Sequence, residues 1–351
     1  MTDAAALAER ALQLVRIASP IGQEKEIADH LEGWASRALP NRVRRVGHSL
    51  VVGALDDPKP MVVLLGHVDT VPAHRESPPA ALEGGRLHGL GSADMKGALA
   101  VMMALAETLP AGPLNPVFVF YEKEEGPYLE NGLGPVLEEC PQLKRAAFGI
   151  AMEPTDNAVQ AGCMGTLHAT LSFHGQSAHS ARPWQGKNAI HAAGPLLNEL
   201  SQRVPLKVIA GGLEFREVMS VTTAQGGRAR NVVPDLFELN LNYRFAPGKT
   251  VAQAQADVEA LVAKRADVRF NDLSPSGRVA SSNPHYQRLL SLSGKPAEAK
   301  QAWTDVGRLS EAGIDAVNFG PGEAAQAHQR LESSNVAALS VAYETLVRFL
   351  S

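Results

Sequence analysis

The fold is decided by the stretch Met61-Val62-Val63-Leu64-Leu65-Gly66-His67-Val68-Asp69-Thr70-Val71-Pro72. Its first five residues form an apolar run of strand length, and polar side chains follow that run directly. Asp69 lies two positions after His67, so its carboxylate is placed to accept the second ring N–H of a metal-bound imidazole. Imidazole and carboxylate together suit a divalent first-row metal, zinc above all. The stretch therefore predicts a buried strand that ends at a metal site.

Further apolar runs alternate with helical spacing outward from this stretch. We predict strands over residues 51–55, 116–121, 146–152 and 316–319, and helices within the first forty residues, over 95–109 and over 335–349. Strands that alternate with helices predict an α/β fold with a doubly wound, mostly parallel sheet covered on both faces. Ligands of such folds gather at the carboxyl ends of the strands, where we expect the site.

The character of the sequence changes in the middle of the chain. Residues 167–173 and 217–223 are typical of strands, residues 188–200 and 251–263 are typical of helices, and residues 238–244 alternate apolar with polar. This alternation indicates a strand with one solvated face. We therefore expect an inserted α+β sandwich over residues 166–275, within a catalytic domain made of residues 1–165 and 276–351.

Carboxylates and a second histidine recur where a metal site could be completed. Asp94 follows the glycine-rich Gly89-Leu90-Gly91-Ser92-Ala93 and precedes a predicted helix, so it can act as an N-cap, a bridging metal ligand, or both. Glu124 and Glu125 follow the strand at 116–121, and their spacing allows one to bind metal while the other accepts a proton from water. Glu153 follows another strand, and His328 lies near the C-terminus. The set predicts a two-metal hydrolase.

Composition narrows the class of protein. The chain has 351 residues, a net charge of −4 and no basic run, so we expect no nucleic-acid partner. Its two cysteines, Cys140 and Cys163, are too few for a disulfide framework. The N-terminus lacks the pattern of a signal peptide, and no apolar run is long enough to span a membrane. We expect a soluble cytoplasmic protein without a membrane partner.

These motifs, in this order and over essentially the whole chain, resemble the zinc-dependent family of aminoacylases, acetylornithine deacetylases, succinyl-diaminopimelate desuccinylases and glutamate carboxypeptidases. The resemblance implies two Zn²⁺ ions per subunit, with Co²⁺ or Mn²⁺ as possible substitutes. The implied ligands are Asp94 as the bridge, His67 and Glu153 on one ion, and Glu125 and His328 on the other. Glu124 matches the general base of the family, and Asp69 matches the residue that orients the metal-bound histidine.

The same resemblance assigns the inserted block as a lid that carries the dimer interface. His179, in Gly175-Gln176-Ser177-Ala178-His179-Ser180-Ala181-Arg182, resembles the lid histidine that stabilises the oxyanion and that reaches the neighbouring subunit's site in related homodimers. The resemblance implies that the substrate is bound by Asn231, Arg244, Arg182, Gly320 and Gly322. Arginine suits a substrate carboxylate because its guanidinium binds two oxygens at once.

Within the family, the segments Gly162-Cys163-Met164-Gly165-Thr166-Leu167, Asn188-Ala189-Ile190-His191 and Trp303-Thr304-Asp305-Val306 are similar to those of the shorter actinobacterial succinyl-diaminopimelate desuccinylases. This implies removal of the succinyl group from N-succinyl-LL-diaminopimelate, a small N-acyl amino acid. An acetylornithine deacetylase, a carrier-linked lysine or ornithine hydrolase and a dipeptidase share the same core and stay open as alternatives. A non-catalytic binding protein is a remote alternative, because all the ligand and base positions are intact. One departure is the segment Gln329-Arg330-Leu331-Glu332-Ser333-Ser334 after His328, which lacks the acid pattern of better-known members.

Overall fold

The computed structural model describes residues 4–75 and 77–351, and the chain divides into two compact units. The first unit contains Met1–Gly162, Gly277–Lys300 and Thr304–Ser351, and the second contains Cys163–Ser276 and Gln301–Trp303. The short segment Gln301–Trp303 groups with the second unit, whereas the predicted larger domain included it. Residues 1–3, which belong to the stretch where no signal peptide was predicted, lie outside the described residues.

The strands of the described residues are β1 (Val43–Val46), β2 (Ser49–Val52), β3 (Met61–His67), β4 (Ala81–Glu83), β5 (Arg86–His88), β6 (Asn115–Tyr121), β7 (Phe148–Ala151), β8 (Gln160–Ala161), β9 (Gly165–His174), β10 (Leu206–Ala210), β11 (Leu213–Gly226), β12 (Leu236–Phe245), β13 (Asp267–Ser274), β14 (Glu298–Ala299), β15 (Ala316–Asn318) and β16 (Ser333–Asn335). The α-helices are α1 (Ala4–Arg16), α2 (Lys25–Ala38), α3 (Gly97–Thr108), α4 (Leu133–Glu139), α5 (Ala189–Ser201), α6 (Val251–Val262), α7 (Pro284–Ser293), α8 (Val306–Glu311) and α9 (Val336–Leu350). Within these residues, no helix is both long and apolar enough to cross a bilayer.

The first unit is built on an eight-stranded sheet in the order β1-β2-β6-β3-β7-β15-β8-β14. Its central strands β6, β3, β7 and β15 are mutually parallel, and every residue of β3 is buried. A strand that is covered on both faces reads as a continuous apolar run, which is why residues 61–65 predicted it. The helix expected from residue 95 begins at Gly97, because Ser92–Lys96 forms a separate turn of π-helix.

The second unit is a five-stranded antiparallel sheet in the order β10-β11-β12-β9-β13, with α5 and α6 packed on one face. Alternate residues of β12, Leu239, Leu241 and Tyr243, are buried in the core that these helices close. Asn240 and Asn242 point to the opposite face, and their side-chain amides contact the ring of His168 on β9 at 3.1 and 3.0 Å. The predicted fold class, a mostly parallel α/β unit with a separate α+β unit, is confirmed.

Candidate metal centre

Three neighbouring parallel strands of the first unit end at one edge of the large sheet. β3 ends at His67, β6 ends three residues before Glu124, and β7 ends two residues before Glu153. The carboxyl ends of adjacent parallel strands form a crevice that the following residues line. The order β6-β3-β7 therefore brings side chains from distant parts of the sequence to the same edge.

His67 is buried between two carboxylate-bearing residues. Its Nδ1 lies 3.0 Å from the backbone oxygen of Asp69 and 3.6 Å from the Oδ1 atom of that residue, so the backbone oxygen is the nearer acceptor. Its Nε2 lies 3.1 Å from Oδ1 of Asp94. Burial lowers the pKa of His67, but the two aspartates outweigh burial and raise the pKa well above its usual value. Asp69 fixes the ring so that Nε2 faces the site.

The carboxylate of Asp69 is fully buried and makes contacts that the sequence did not reveal. Oδ1 accepts a hydrogen bond from the backbone N–H of Glu124, and Oδ2 accepts one from the backbone N–H of Glu125, both at 3.0 Å. One aspartate thus positions the His67 ring through its backbone and the acidic loop after β6 through its side chain. Glu124, the expected base, and its neighbour Glu125 are thus held in place by hydrogen bonds from their backbone N–H groups.

Asp94 and His328 meet although 234 positions of sequence separate them. His328 Nε2 lies 3.6 Å from Oδ2 of Asp94 and 2.9 Å from Oε1 of Glu125. The bond to Glu125 raises the pKa of His328 to about 9. His328 has a φ of +62°, a left-handed conformation that is uncommon outside glycine and that recurs at functional sites.

Two groups of donor atoms in the described residues could each hold a metal ion. One consists of His67, Glu124 and Glu125, and the other of Asp94, Glu125 and His328, with the donor atoms of each group within 4.8 Å of one another. Glu153 is in neither group. Its Oε1 is buried and has no hydrogen-bond partner among the described residues, and its Oε2 lies 4.0 Å from Nζ of Lys300.

The electrostatics of the site favour a cation. Burial raises the pKa of Glu124 well above its usual value, and the carboxylates of Glu153 and Glu125 raise it further against the opposing effect of His67. Burial, with the charge of Asp94, likewise raises the pKa of Glu153 to about 7. Carboxylates crowded in a buried crevice repel one another, and a divalent ion relieves that repulsion. The imidazole and carboxylate donors and the unpartnered Glu153 oxygen therefore fit a metal centre.

Sequence reasoning missed several residues that support this edge. Lys300 is buried beside Glu153, and nothing in its sequence context marks it. Asp305 is fully buried, and its carboxylate accepts hydrogen bonds from Asn131 Nδ2, at 2.9 Å, and from the hydroxyl of Tyr121 at the end of β6. Glu332 contacts the backbone before Asp94. Each acts through a neighbour that is distant in sequence, so no local pattern reveals it.

The two glycines expected to bind substrate are packed against backbone. A Cβ at Gly320 would lie 2.5 Å from the carbonyl oxygen of Glu153, and one at Gly322 would lie 2.9 Å from the carbonyl carbon of Ala93. Real Cβ atoms essentially never come that close. The absence of a side chain therefore lets the segment after β15 pack against the residues that carry Glu153 and Asp94.

The remaining expected residues lie in the second unit. His179 pairs with Val232 in a short antiparallel bridge, and Ser180 N–H donates to the backbone oxygen of Asn231 at 2.9 Å. Arg182 is exposed beside His179, whose backbone oxygen accepts the Arg182 N–H at 2.8 Å. These residues therefore share one loop cluster. Arg244 lies apart on β12, where its Nε donates to Oδ1 of Asn242 at 3.2 Å.

Comparison with known proteins identifies the family. The sequence profile of Peptidase family M20/M25/M40 matches residues 63–351. The chain belongs to this peptidase family. Among M20 relatives, the succinyl-diaminopimelate desuccinylase of Corynebacterium glutamicum is 34% identical over 349 residues, which cover 97% of this chain and 94% of that protein. A Mycobacterium tuberculosis protein provisionally named succinyl-diaminopimelate desuccinylase DapE is 37% identical over 96% of both chains.

Solved structures confirm the fold. A Staphylococcus aureus tripeptidase superposes with a TM-score of 0.81 at 20% identity, covering 100% of this chain and 98% of that one. The Bacillus subtilis protein YXEP, described as a dinuclear metal-binding M20 peptidase, superposes with a TM-score of 0.70 at 15% identity over 99% and 97% of the two chains. At these identities the likeness establishes the M20 fold.

Proposed function

We propose that the chain hydrolyses N-succinyl-LL-diaminopimelate to succinate and LL-diaminopimelate, a precursor of lysine and peptidoglycan. The observation that carries the proposal is that His67, Asp94, Glu124, Glu125 and His328 form two overlapping groups of metal donors. The near full-length similarity to the Corynebacterium and Mycobacterium proteins supports the succinyl substrate.

We assign two metal ions to the site, zinc by the chemistry of the donors, with cobalt or manganese as substitutes. The proposed ligands are Asp94 as the bridge, His67 and Glu153 on one ion, and Glu125 and His328 on the other. The close approach of Asp94 to both histidines supports its bridging role. Glu153 stands outside the two donor groups, and its unpartnered oxygen makes it available as a ligand. The bound ions would polarise the amide carbonyl and make water a better nucleophile at neutral pH.

Glu124 is the proposed general base. Burial raises its pKa, which makes its carboxylate a stronger base than that of a free glutamate, and the hydrogen bond from its backbone N–H to Asp69 fixes its position. Glu124 takes a proton from the attacking water as the water oxygen bonds the amide carbon. It then gives that proton to the amide nitrogen as the C–N bond breaks, which leaves succinate and the free amine.

We assign substrate binding and closure to the second unit. His179 would donate to the oxyanion, and a preorganised donor of this kind commonly contributes about 100- to 1,000-fold in rate. Arg182, Asn231 and Arg244 would bind the carboxylates of the substrate, for which a guanidinium is well suited. We also propose that the second unit forms a homodimer in which His179 serves the site of the neighbouring subunit.

A direct assay tests the substrate. Zinc-loaded protein is given N-succinyl-LL-diaminopimelate and N-acetyl-L-ornithine in parallel, and release of the free amine is followed. The proposal expects strong preference for the succinyl compound. Preference for the acetyl compound would keep the metal centre and overturn the substrate, and cleavage of neither would move the search to dipeptides and carrier-linked substrates.

A pair of variants tests the base. Glu124→Gln should lower kcat by at least about 100-fold, because a general base typically contributes that much or more, while bound metal stays unchanged. Glu122→Gln is the matched control, since this neighbouring carboxylate accepts the backbone N–H of His48 at 2.7 Å. If Glu124→Gln kept a rate close to that of the control, Glu124 would not be the base.

A further inference from the structure

Glu332 binds the backbone of the loop that carries Asp94. Its Oε1 accepts the N–H groups of Ala93 and Asp94 at 2.8 and 3.1 Å, and its Oε2 accepts the N–H of Gly91 at 3.0 Å. The residue is 2% exposed, so these bonds are made away from water. Three backbone N–H groups that converge on one carboxylate define where the loop lies.

The position of Glu332 in the chain gives these bonds their consequence. It lies four residues after His328, on the segment that leads into β16. The loop it binds lies more than two hundred residues earlier and ends at Asp94. Glu332 therefore joins the segment that carries one proposed metal ligand to the loop that carries another.

We propose that Glu332 is a positioning residue for the metal centre. By fixing the backbone of the loop that ends at Asp94, it sets the distance between Asp94 and His328. This inference rests on the proposed metal site. The 3.6 Å approach of His328 Nε2 to Asp94 Oδ2 is the distance that the contact maintains. Partners that orient a ligand from behind commonly contribute about 10- to 100-fold to metal affinity.

Contacts other than those of the Glu332 carboxylate also join its segment to the chain before Asp94. The positioning role of the carboxylate can therefore be tested separately from the attachment of the two segments. The backbone oxygen of Glu332 accepts the N–H of Gly89 at 3.0 Å, and β16 pairs with β5 through Ser333 and His88. Arg86 also donates to Ser333 Oγ at 2.9 Å. Loss of the carboxylate should therefore leave the segments attached and release mainly the turn from Gly91 to Asp94.

Glu332→Gln is the variant of choice, because glutamine keeps the volume and one acceptor oxygen but turns an NH₂ group toward a backbone N–H. Glu323→Gln is the matched control, since Glu323 lies on the same segment and pairs with Arg86. Co²⁺ is titrated into each metal-free protein, and the visible absorption of bound Co²⁺ gives both the affinity and the ligand geometry. Thermal unfolding of the metal-free proteins is measured in parallel.

We expect Glu332→Gln to weaken Co²⁺ binding by about 10-fold or more and to change the spectrum, while Glu323→Gln matches the unaltered protein. Equal affinity and spectrum in Glu332→Gln would overturn the positioning role and leave the proposed function intact. Failure of the unaltered protein to bind Co²⁺ would overturn the metal centre itself. If Glu332→Gln does not fold, Glu332→Asp is titrated, which keeps the charge but shortens the reach, and the same two outcomes decide.

Discussion

A methyl group at Gly320 should damage the site through the backbone of Glu153. The added Cβ would lie 2.5 Å from the Glu153 carbonyl oxygen and 2.8 Å from the Met152 carbonyl carbon, whereas ordinary contacts begin at 3.4 Å. The oxygen must therefore retreat by about 0.9 Å to reach van der Waals separation. The Thr155 hydroxyl donates to the Gly320 oxygen at 3.2 Å, and the Gly320 N–H donates to that hydroxyl at 3.0 Å, so the strand ends cannot separate freely.

Gly320→Ala is expected to lower kcat/KM by about 100-fold, because a misplacement near 1 Å commonly costs that much in a positioned site. Overpacking should also lower the free energy of unfolding by about 1–3 kcal/mol. Steady-state kinetics, metal content and urea unfolding measure the three effects. Gly33→Ala is the control: Gly33 lies within α2, and a Cβ there would meet only the end of Arg37 at 3.6 Å. A Gly320→Ala protein as active and metal-replete as this control would refute the packing argument.

Two further predictions concern charge and closure. Lys300→Met should lower the free energy of unfolding of the metal-free protein by about 1–3 kcal/mol, because Glu153 loses a buried cationic neighbour. Added Zn²⁺ should then increase the stability of this variant more than that of the unaltered protein. An unchanged melting temperature of the metal-free variant would contradict this prediction. His179→Ala should lower kcat by about 100- to 1,000-fold with metal content unchanged. If His179 acts across subunits, mixing this variant with Glu124→Gln should restore activity, and a fully active monomer would exclude that arrangement.

The sequence was sufficient to predict strands where the spacing of apolar residues alone determines the element. Apolar patterning alone predicted strands over 61–65 and 238–244, and the structure has them at 61–67 and 236–245. Parallel strands place the residues that follow them at a common edge of the sheet. His67 and Glu124 are brought together because His67 ends one such strand and Glu124 closely follows its neighbour. Asp94 and His328 follow no strand of this set. The glycine-rich stretch before Asp94 marked it as a candidate ligand, and the family resemblance assigned the metal-binding role of both residues.

Sequence patterns do not reveal residues that act on the backbone near the site. The carboxylate of Asp69 serves two N–H groups after β6, and Gly320 matters because of what a side chain there would strike. Glu332 shows the same limit most clearly. The segment after His328 departs from the expected acid pattern, yet its one glutamate binds three backbone N–H groups of the loop that ends at Asp94. A sequence indicates which side chains can bind a metal. The backbone that orients those side chains is held by residues that are distant in sequence and come close only in the folded chain. The precision of this metal centre therefore depends on residues outside its own ligand set.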